Sequence, residues 1–167
     1  GKPEEREAFL PAEKRLLQIL LEEEKIAPYV FEEIKEEYFN GLKSKPIFIA
    51  LRDCFKNDIR PTFQELKQKI EPSLSSSLSK ALLEKEQPPT VEEAFECLNA
   101  LRQLSLENRS RELQIEIAKS ERNGEKEKVD SLLVEMAKIK KQLLDLSQRN
   151  YENLSINNAD CFDKNRS

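Results

Sequence analysis

The sequence of 167 residues contains no His, no Trp, three Gly and one Met. Without His there is no imidazole to act as a general base, to complete a Ser-His arrangement or to bind a metal ion. Three scattered Gly cannot form a glycine-rich phosphate loop. We therefore expect a non-catalytic chain with no metal site, no cofactor and no small-molecule substrate.

Long apolar runs and an excess of basic residues are also missing. No apolar run reaches the roughly 20 residues that span a bilayer, and no signal peptide opens the chain. There are 28 Lys and Arg against 32 Asp and Glu, and only residues 41–70 are locally basic. Because affinity for nucleic acid comes mostly from neutralised phosphates, we expect neither direct nucleic-acid binding nor a membrane partner.

The three cysteines show no metal-ligand spacing. Cys54 and Cys97 fall on apolar helical faces, and Cys161 stands alone near the end of the chain. The sequence predicts buried free thiols in a reducing, cytoplasmic setting. The chain begins with Gly1 and not with Met, so we expect it to be a fragment of a larger protein.

Helix-forming residues dominate what is present, and they predict an all-α fold. Thr62 with Glu65, and Thr90 with Glu93, have the spacing of capping boxes, which mark helix starts. Other helices are predicted to begin near Pro11 and at Ser44, and another to carry Leu74, Leu78 and Leu82. A helix that begins at Pro28 is predicted to run to Phe39, where Asn40-Gly41 ends it. We expect a frayed segment at 1–10 and a multi-helix bundle at 11–104.

A long helix is predicted from Val91, because no Pro or Gly follows until Gly124. At 1.5 Å per residue it would be about 50 Å long. Its apolar stripe shifts along the way, and residues 107–112 are wholly polar. We expect these residues to form a solvent-spanned waist, that is, a helical bridge surrounded by water between two packed bodies. We expect this waist to act as a hinge. Asn123-Gly124 predicts a tight turn into a returning helix.

The returning helix carries a heptad seam, which requires a partner helix. The outgoing helix at 106–122 is the nearest partner, so we predict an antiparallel hairpin at 105–148. The tail at 149–167 is rich in Asn, Asp and Ser and is expected to be disordered. The seam residues are Val129, Leu132, Met136, Ile139, Leu143 and Leu146.

A docking surface on the hairpin is indicated by Leu144, which lies beside the seam residue Leu143. It widens the apolar stripe beyond what two helices need. The carboxylates of Glu22–Glu24, by contrast, fall opposite an apolar stripe and indicate a solvated face. The candidate partner-binding residues are Ile117, Met136, Lys140, Lys141, Leu143, Leu144 and Leu146.

Two segments resemble parts of a known family. Residues 11–22, PAEKRLLQILLE, continuing into IAPYVF at 26–31, resemble the start of the C-terminal domain of DnaG-type bacterial primases. The stretch from Leu113 through the Asn123-Gly124 turn to Leu143 is similar to the hairpin that ends those primases. The resemblance covers about residues 10–147, with bundle and hairpin in the same order; the tail at 149–167 departs from the family.

The resemblance implies a role in DNA replication. In this family the domain recruits primase to the N-terminal domains of the hexameric replicative helicase, DnaB. The hairpin is implied as the docking element, and the bundle as the part that modulates helicase activity. The zinc-binding and RNA-synthesising regions of a primase are missing from the sequence. The fragment would therefore be a non-catalytic part of a larger chain that is an RNA polymerase.

Three alternatives stay open. The family's bundle also looks like the N-terminal domain of the helicase itself, although the lack of a following ATPase segment and the polar tail favour primase. A coiled-coil adaptor that self-associates through the 129–146 seam is the second alternative. An enzyme of unfamiliar type is the third.

Overall fold

Helices are the regular elements of this chain, and no strand occurs in the part that is described. The computed structural model describes residues 9–84 and 86–164, with side chains described as far as Arg149. The predicted all-α class is confirmed. The helices are α1 (Pro11–Glu22), α2 (Ala27–Glu33), a short 3-10 helix (Glu36–Phe39), α3 (Lys45–Lys56), α4 (Phe63–Lys67), α5 (Pro72–Leu83), α6 (Val91–Arg122) and α7 (Lys126–Lys164).

The chain divides into two compact units, Gly1–Ser105 and Leu106–Ser167. The first unit holds α1 to α5, the 3-10 helix and the first half of α6. The second unit holds the rest of α6 together with α7.

Side-chain caps begin two of the helices where the sequence predicts them. The Thr62 hydroxyl accepts a hydrogen bond from the backbone N–H of Glu65 (3.2 Å), at the start of α4. The Thr90 hydroxyl accepts one from the N–H of Glu93 (3.1 Å), at the start of α6. Each cap satisfies a backbone donor that has no partner within its helix.

The predicted helix from Pro28 to Phe39 is interrupted, contrary to the sequence pattern. Helix α2 ends at Glu33, Ile34 adopts an extended backbone, and the chain resumes as the 3-10 helix. No Pro or Gly marks this break. It allows both Ile34 and Phe39 to be buried in the core, and core burial overrides local helix propensity.

The core of the first unit lies between α1, α2, α3, α5 and the first half of α6. Leu16 and Leu17 of α1 are completely buried within it. The rings of Phe39 and Phe48 stack with their centroids 4.2 Å apart. Tyr29 is exposed, because its position on α2 faces away from this core.

A buried carboxylate joins the starts of α1 and α3. Glu13 accepts a hydrogen bond from the backbone N–H of Leu10 (2.7 Å) at the N-terminus of α1. It also accepts hydrogen bonds from the backbone N–H (3.2 Å) and the hydroxyl of Ser44, immediately before α3. A negative charge at two helix N-termini is favourable, since both present unpaired N–H groups. The Ser44 hydroxyl thus donates to Glu13 and does not cap α3.

The second unit is a pair of helices joined at Gly124. Gly124 has φ of +71°, which is the left-handed conformation expected of glycine after a helix end. The N–H of Glu125 donates to the carbonyl of Ser120 (3.0 Å) and completes the turn. Leu113 of α6 packs in one apolar cluster with the seam residues Leu132, Met136 and Ile139 of α7.

The polar stretch at 107–112 differs from the predicted solvent-spanned waist. Residues 107–110 are half-buried, and Arg109 and Ser110 make hydrogen bonds to α7. The polar side chains reach across to the partner helix because a long guanidinium can bridge at the edge of an apolar seam. The stretch is therefore part of the second unit's own packing.

The two chain ends also differ in part from expectation. Residues 1–8 lie outside the described residues, whereas Phe9 is buried in the core of the first unit. Helix α7 continues to Lys164 through most of the segment that was expected to be disordered, since neither Pro nor Gly follows Gly124. Cys54 is buried and Cys97 is half-buried, both as free thiols, and the side chain of Cys161 is outside the described residues.

Candidate interaction surface on helix α7

The predicted partner-binding residues fall into two groups. Met136 and Leu146 are buried, and Ile117 and Leu143 are half-buried against the apolar cluster of the second unit or beside it. These four side chains make their contacts within the fold. Lys140, Lys141 and Leu144 are exposed, and Leu144 keeps 59% of its surface accessible to solvent.

Two further apolar residues of α7 are exposed and were missed. Leu133 is 49% and Val134 57% exposed. The sequence contained the necessary signal, because Leu132-Leu133 repeats the pattern of Leu143-Leu144: a seam leucine followed by a second leucine outside the seam. The two outer leucines are 11 residues apart, about three helical turns or 16 Å.

These residues share one side of the helix. At about 100° per residue, Leu133, Lys140 and Leu144 lie in one line, and Val134 and Lys141 lie in a second line about 100° further around the helix. The surface formed by Leu133, Val134, Lys140, Lys141 and Leu144 is called here the outer face of α7. It is opposite the position of Glu135, which points to α6.

The charge of the outer face is positive at its centre. Lys140 and Lys141 are exposed, as is Lys138 next to them, and Asp145 is the nearest exposed acidic residue towards the C-terminal end. An apolar strip interrupted by lysines is suited to a partner whose apolar contact is flanked by carboxylates.

Arg109 fixes α6 against α7 on the other side of the pair. Its Nε and a terminal nitrogen donate to the two carboxylate oxygens of Glu135 (2.8 and 3.1 Å), which is the bidentate geometry of strong guanidinium–carboxylate pairs. Glu112 and Glu116 contact the same guanidinium at 3.2 and 3.3 Å. These bonds raise the pKa of Arg109 and lower that of Glu135.

The Arg109 cluster is a consequence of spacing that sequence analysis overlooked. Glu112 and Glu116 follow Arg109 by three and seven residues, which places all three on one side of α6. The cluster therefore orients α7, and with it the outer face, without being part of the outer face.

Within residues 9–84 and 86–164, no group of three His, Cys, Asp or Glu side chains could hold a metal ion. In those ranges no helix has the length and apolar character needed to cross a membrane. Comparison with protein-family models, with curated proteins and with solved structures finds no match to this chain.

Proposed function

We propose that this chain is the helicase-binding part of a bacterial primase. In this proposal the first unit is the helical bundle, the second unit is the helical hairpin, and the outer face of α7 docks onto the N-terminal domains of the hexameric replicative helicase. The domain recruits primase to the replication fork in the cytoplasm and modulates the helicase. It is itself non-catalytic.

One observation carries the docking role. Leu133, Val134 and Leu144 remain exposed after the seam of the second unit has been filled. Three large apolar side chains on one side of a helix are costly to leave in water, at roughly 25 cal/mol per Å² of apolar surface. A face of this kind is typical of an amphipathic helix that meets a partner groove. The resemblance to primases supplies the identity of that partner.

Self-association through the 129–146 seam is less well supported. Leu132, Met136, Ile139 and Leu146 of the seam are already buried within a single chain. A second copy would have to displace α6 before it could use them. If two copies instead associated through the outer face, a mass measurement on the isolated chain would show a dimer.

The docking role is tested with substitutions of exposed leucines. Leu133→Ala and Leu144→Ala should each weaken binding to the N-terminal domains of bacterial replicative helicases by about fivefold or more, as interface hot spots do. Leu83→Ala is the control, because Leu83 is 78% exposed in the first unit and lies on α5. Titration calorimetry measures all three. Equal affinities for the three variants would exclude the outer face as the docking site.

Two further variants separate docking from folding. Leu143 is half-buried in the seam, so Leu143→Ala should lower both helicity and affinity, with a loss of about 2 kcal/mol of stability. Leu144→Ala should leave the circular dichroism spectrum unchanged. Charge reversal at Lys140 or Lys141 should slow association and reduce its dependence on salt, while dissociation changes little.

A further inference from the structure

The first unit contains an apolar cleft that the proposed docking surface does not use. It lies where α1 ends and α2 begins, against α3 and the loop that follows α3, and has a volume of about 240 Å³. Its wall includes Leu20, Phe31, Leu51 and Phe55. Leu20, Phe31 and Leu51 are otherwise buried, so the cleft opens directly onto the core.

The size and shape of the cleft limit what it can hold. The rings of Phe31 and Phe55 stack at 4.8 Å and form a flat aromatic wall. An apolar cavity of about 150 Å³ takes up benzene, so this volume suits a group of one or two rings such as an indole. A whole helix, about 10 Å across, is too large to enter.

Arg60 at the rim is neutralised by its own neighbours. One terminal nitrogen pairs with the Glu24 carboxylate at 2.6 Å, and the other donates to the backbone carbonyl of Leu21 at 3.1 Å. That carbonyl belongs to the last turn of α1, where a cation is favourable. The guanidinium thus ties the loop to α1 and offers little free positive charge to a ligand.

Asp58 is the remaining charge at the rim. It is exposed, and it has no ion pair among the residues that the structure describes. Its backbone is left-handed, with φ of +56°, and is held by hydrogen bonds from the N–H of Asp58 to Phe55 O (3.0 Å) and from the N–H of Ile59 to Cys54 O (2.8 Å). These two bonds form a Schellman motif at the end of α3, so the carboxylate has a defined place beside the cleft.

We infer that this cleft binds an aromatic side chain flanked by basic residues on a partner polypeptide. The ring enters against Phe31 and Phe55, and the neighbouring Lys or Arg of the partner pairs with Asp58. The inference goes beyond the proposed function, because it assigns a second contact to the first unit with a ligand chemistry opposite to that of the lysine-bearing outer face.

The absence of Trp from this sequence provides a direct assay. Capped Lys-Trp-Lys and Glu-Trp-Glu tripeptides serve as probes, and the tryptophan emission of each is followed while the full chain is titrated in. Entry of the indole into the cleft should shift the emission of Lys-Trp-Lys to the blue with saturation. The acidic tripeptide should bind at least about tenfold more weakly, since both the lost attraction and the new repulsion at Asp58 act against it.

Variants locate the binding. Ala27 is buried and lines the cleft, so Ala27→Leu should fill it and abolish the blue shift. Asp58→Asn keeps a residue that tolerates left-handed backbone, and should weaken Lys-Trp-Lys about two- to fivefold, as an exposed ion pair does. Asp53→Asn, on the exposed side of α3, is the matched control and should change nothing.

The outcomes decide the inference in each case. Saturable Lys-Trp-Lys binding that both cleft variants reduce, and Asp53→Asn does not, supports it. Equal binding of the two tripeptides overturns the cationic assignment, and unchanged binding by Ala27→Leu, or no blue shift at all, overturns the site. If Ala27→Leu proves unfolded by circular dichroism, Asp58→Asn decides alone, and its retention of full affinity overturns the inference.

Discussion

Replacing Glu13 with alanine perturbs the carboxylate that joins the starts of α1 and α3. The substitution leaves three donors without an acceptor: the buried N–H and hydroxyl of Ser44, and the part-buried N–H of Leu10. Each buried unsatisfied donor costs about 1–3 kcal/mol, so the two donors of Ser44 cost about 4 kcal/mol at the middle of that range. Relief of the buried charge offsets part of this cost, and we expect a net loss of about 3 kcal/mol in the free energy of unfolding.

Urea unfolding followed by the amide NMR signals of α1 and α3 measures this loss in the first unit. Signals from α7 in the second unit serve as an internal reference. Glu22→Ala is the control, because Glu22 is exposed on the same helix, and it should change stability by less than about 0.5 kcal/mol. Glu13→Gln keeps the volume but turns an amide N–H₂ towards a donor, so an intermediate loss is expected. A Glu13→Ala variant within about 1 kcal/mol of the unsubstituted chain would refute this reasoning.

Three other perturbations have defined directions. Asp58→Gly should raise stability by about 1 kcal/mol in thermal unfolding, because glycine adopts the φ of +56° without strain. Arg109 lowers the pKa of Glu135 in the folded state, so the second unit should lose stability as pH falls below about 4.5, and Glu135→Gln should flatten that dependence in acid titrations. Burial, with help from Glu93, raises the pKa of Cys97 to about 11, so this thiol should react with iodoacetamide at pH 8 more slowly than glutathione does.

Local signals in the sequence predicted the helices well where caps and breakers marked them. The threonine caps at Thr62 and Thr90, and the glycine turn at Gly124, depend on backbone groups within a few residues. Such short-range hydrogen bonds can be predicted from the sequence alone. The uninterrupted α6 follows equally from the lack of Pro and Gly between Val91 and Gly124.

Features that depend on distant residues were not predictable in the same way. The break after Glu33 is set by the need to bury Ile34 and Phe39 in a core built from other helices. The role of Glu13 depends on Ser44, 31 residues away. The bond from the N–H of Leu10 is local, but a glutamate on an amphipathic helix usually faces water, and only the contact with Ser44 buries this one.

The candidate surface was predicted only in part, because it too depends on contacts between distant residues. Periodicity identified Leu144 as lying outside the seam. Leu133 was overlooked although it follows the same rule, and Val134 beside it was overlooked as well. Met136 and Leu146 were assigned to the surface because seam residues and docking residues are of the same apolar types. Only the packing of α7 against its neighbours separates the two.

We propose that the outer face of α7 binds the N-terminal domains of the helicase. Methyl NMR of the full chain, titrated with the N-terminal domains of a bacterial replicative helicase, tests it most directly. We expect the methyl signals of Leu133, Val134 and Leu144 to shift or broaden, while those of Leu83 stay unchanged. Perturbations confined to methyl groups of the first unit, or no perturbation at saturating helicase, would contradict it.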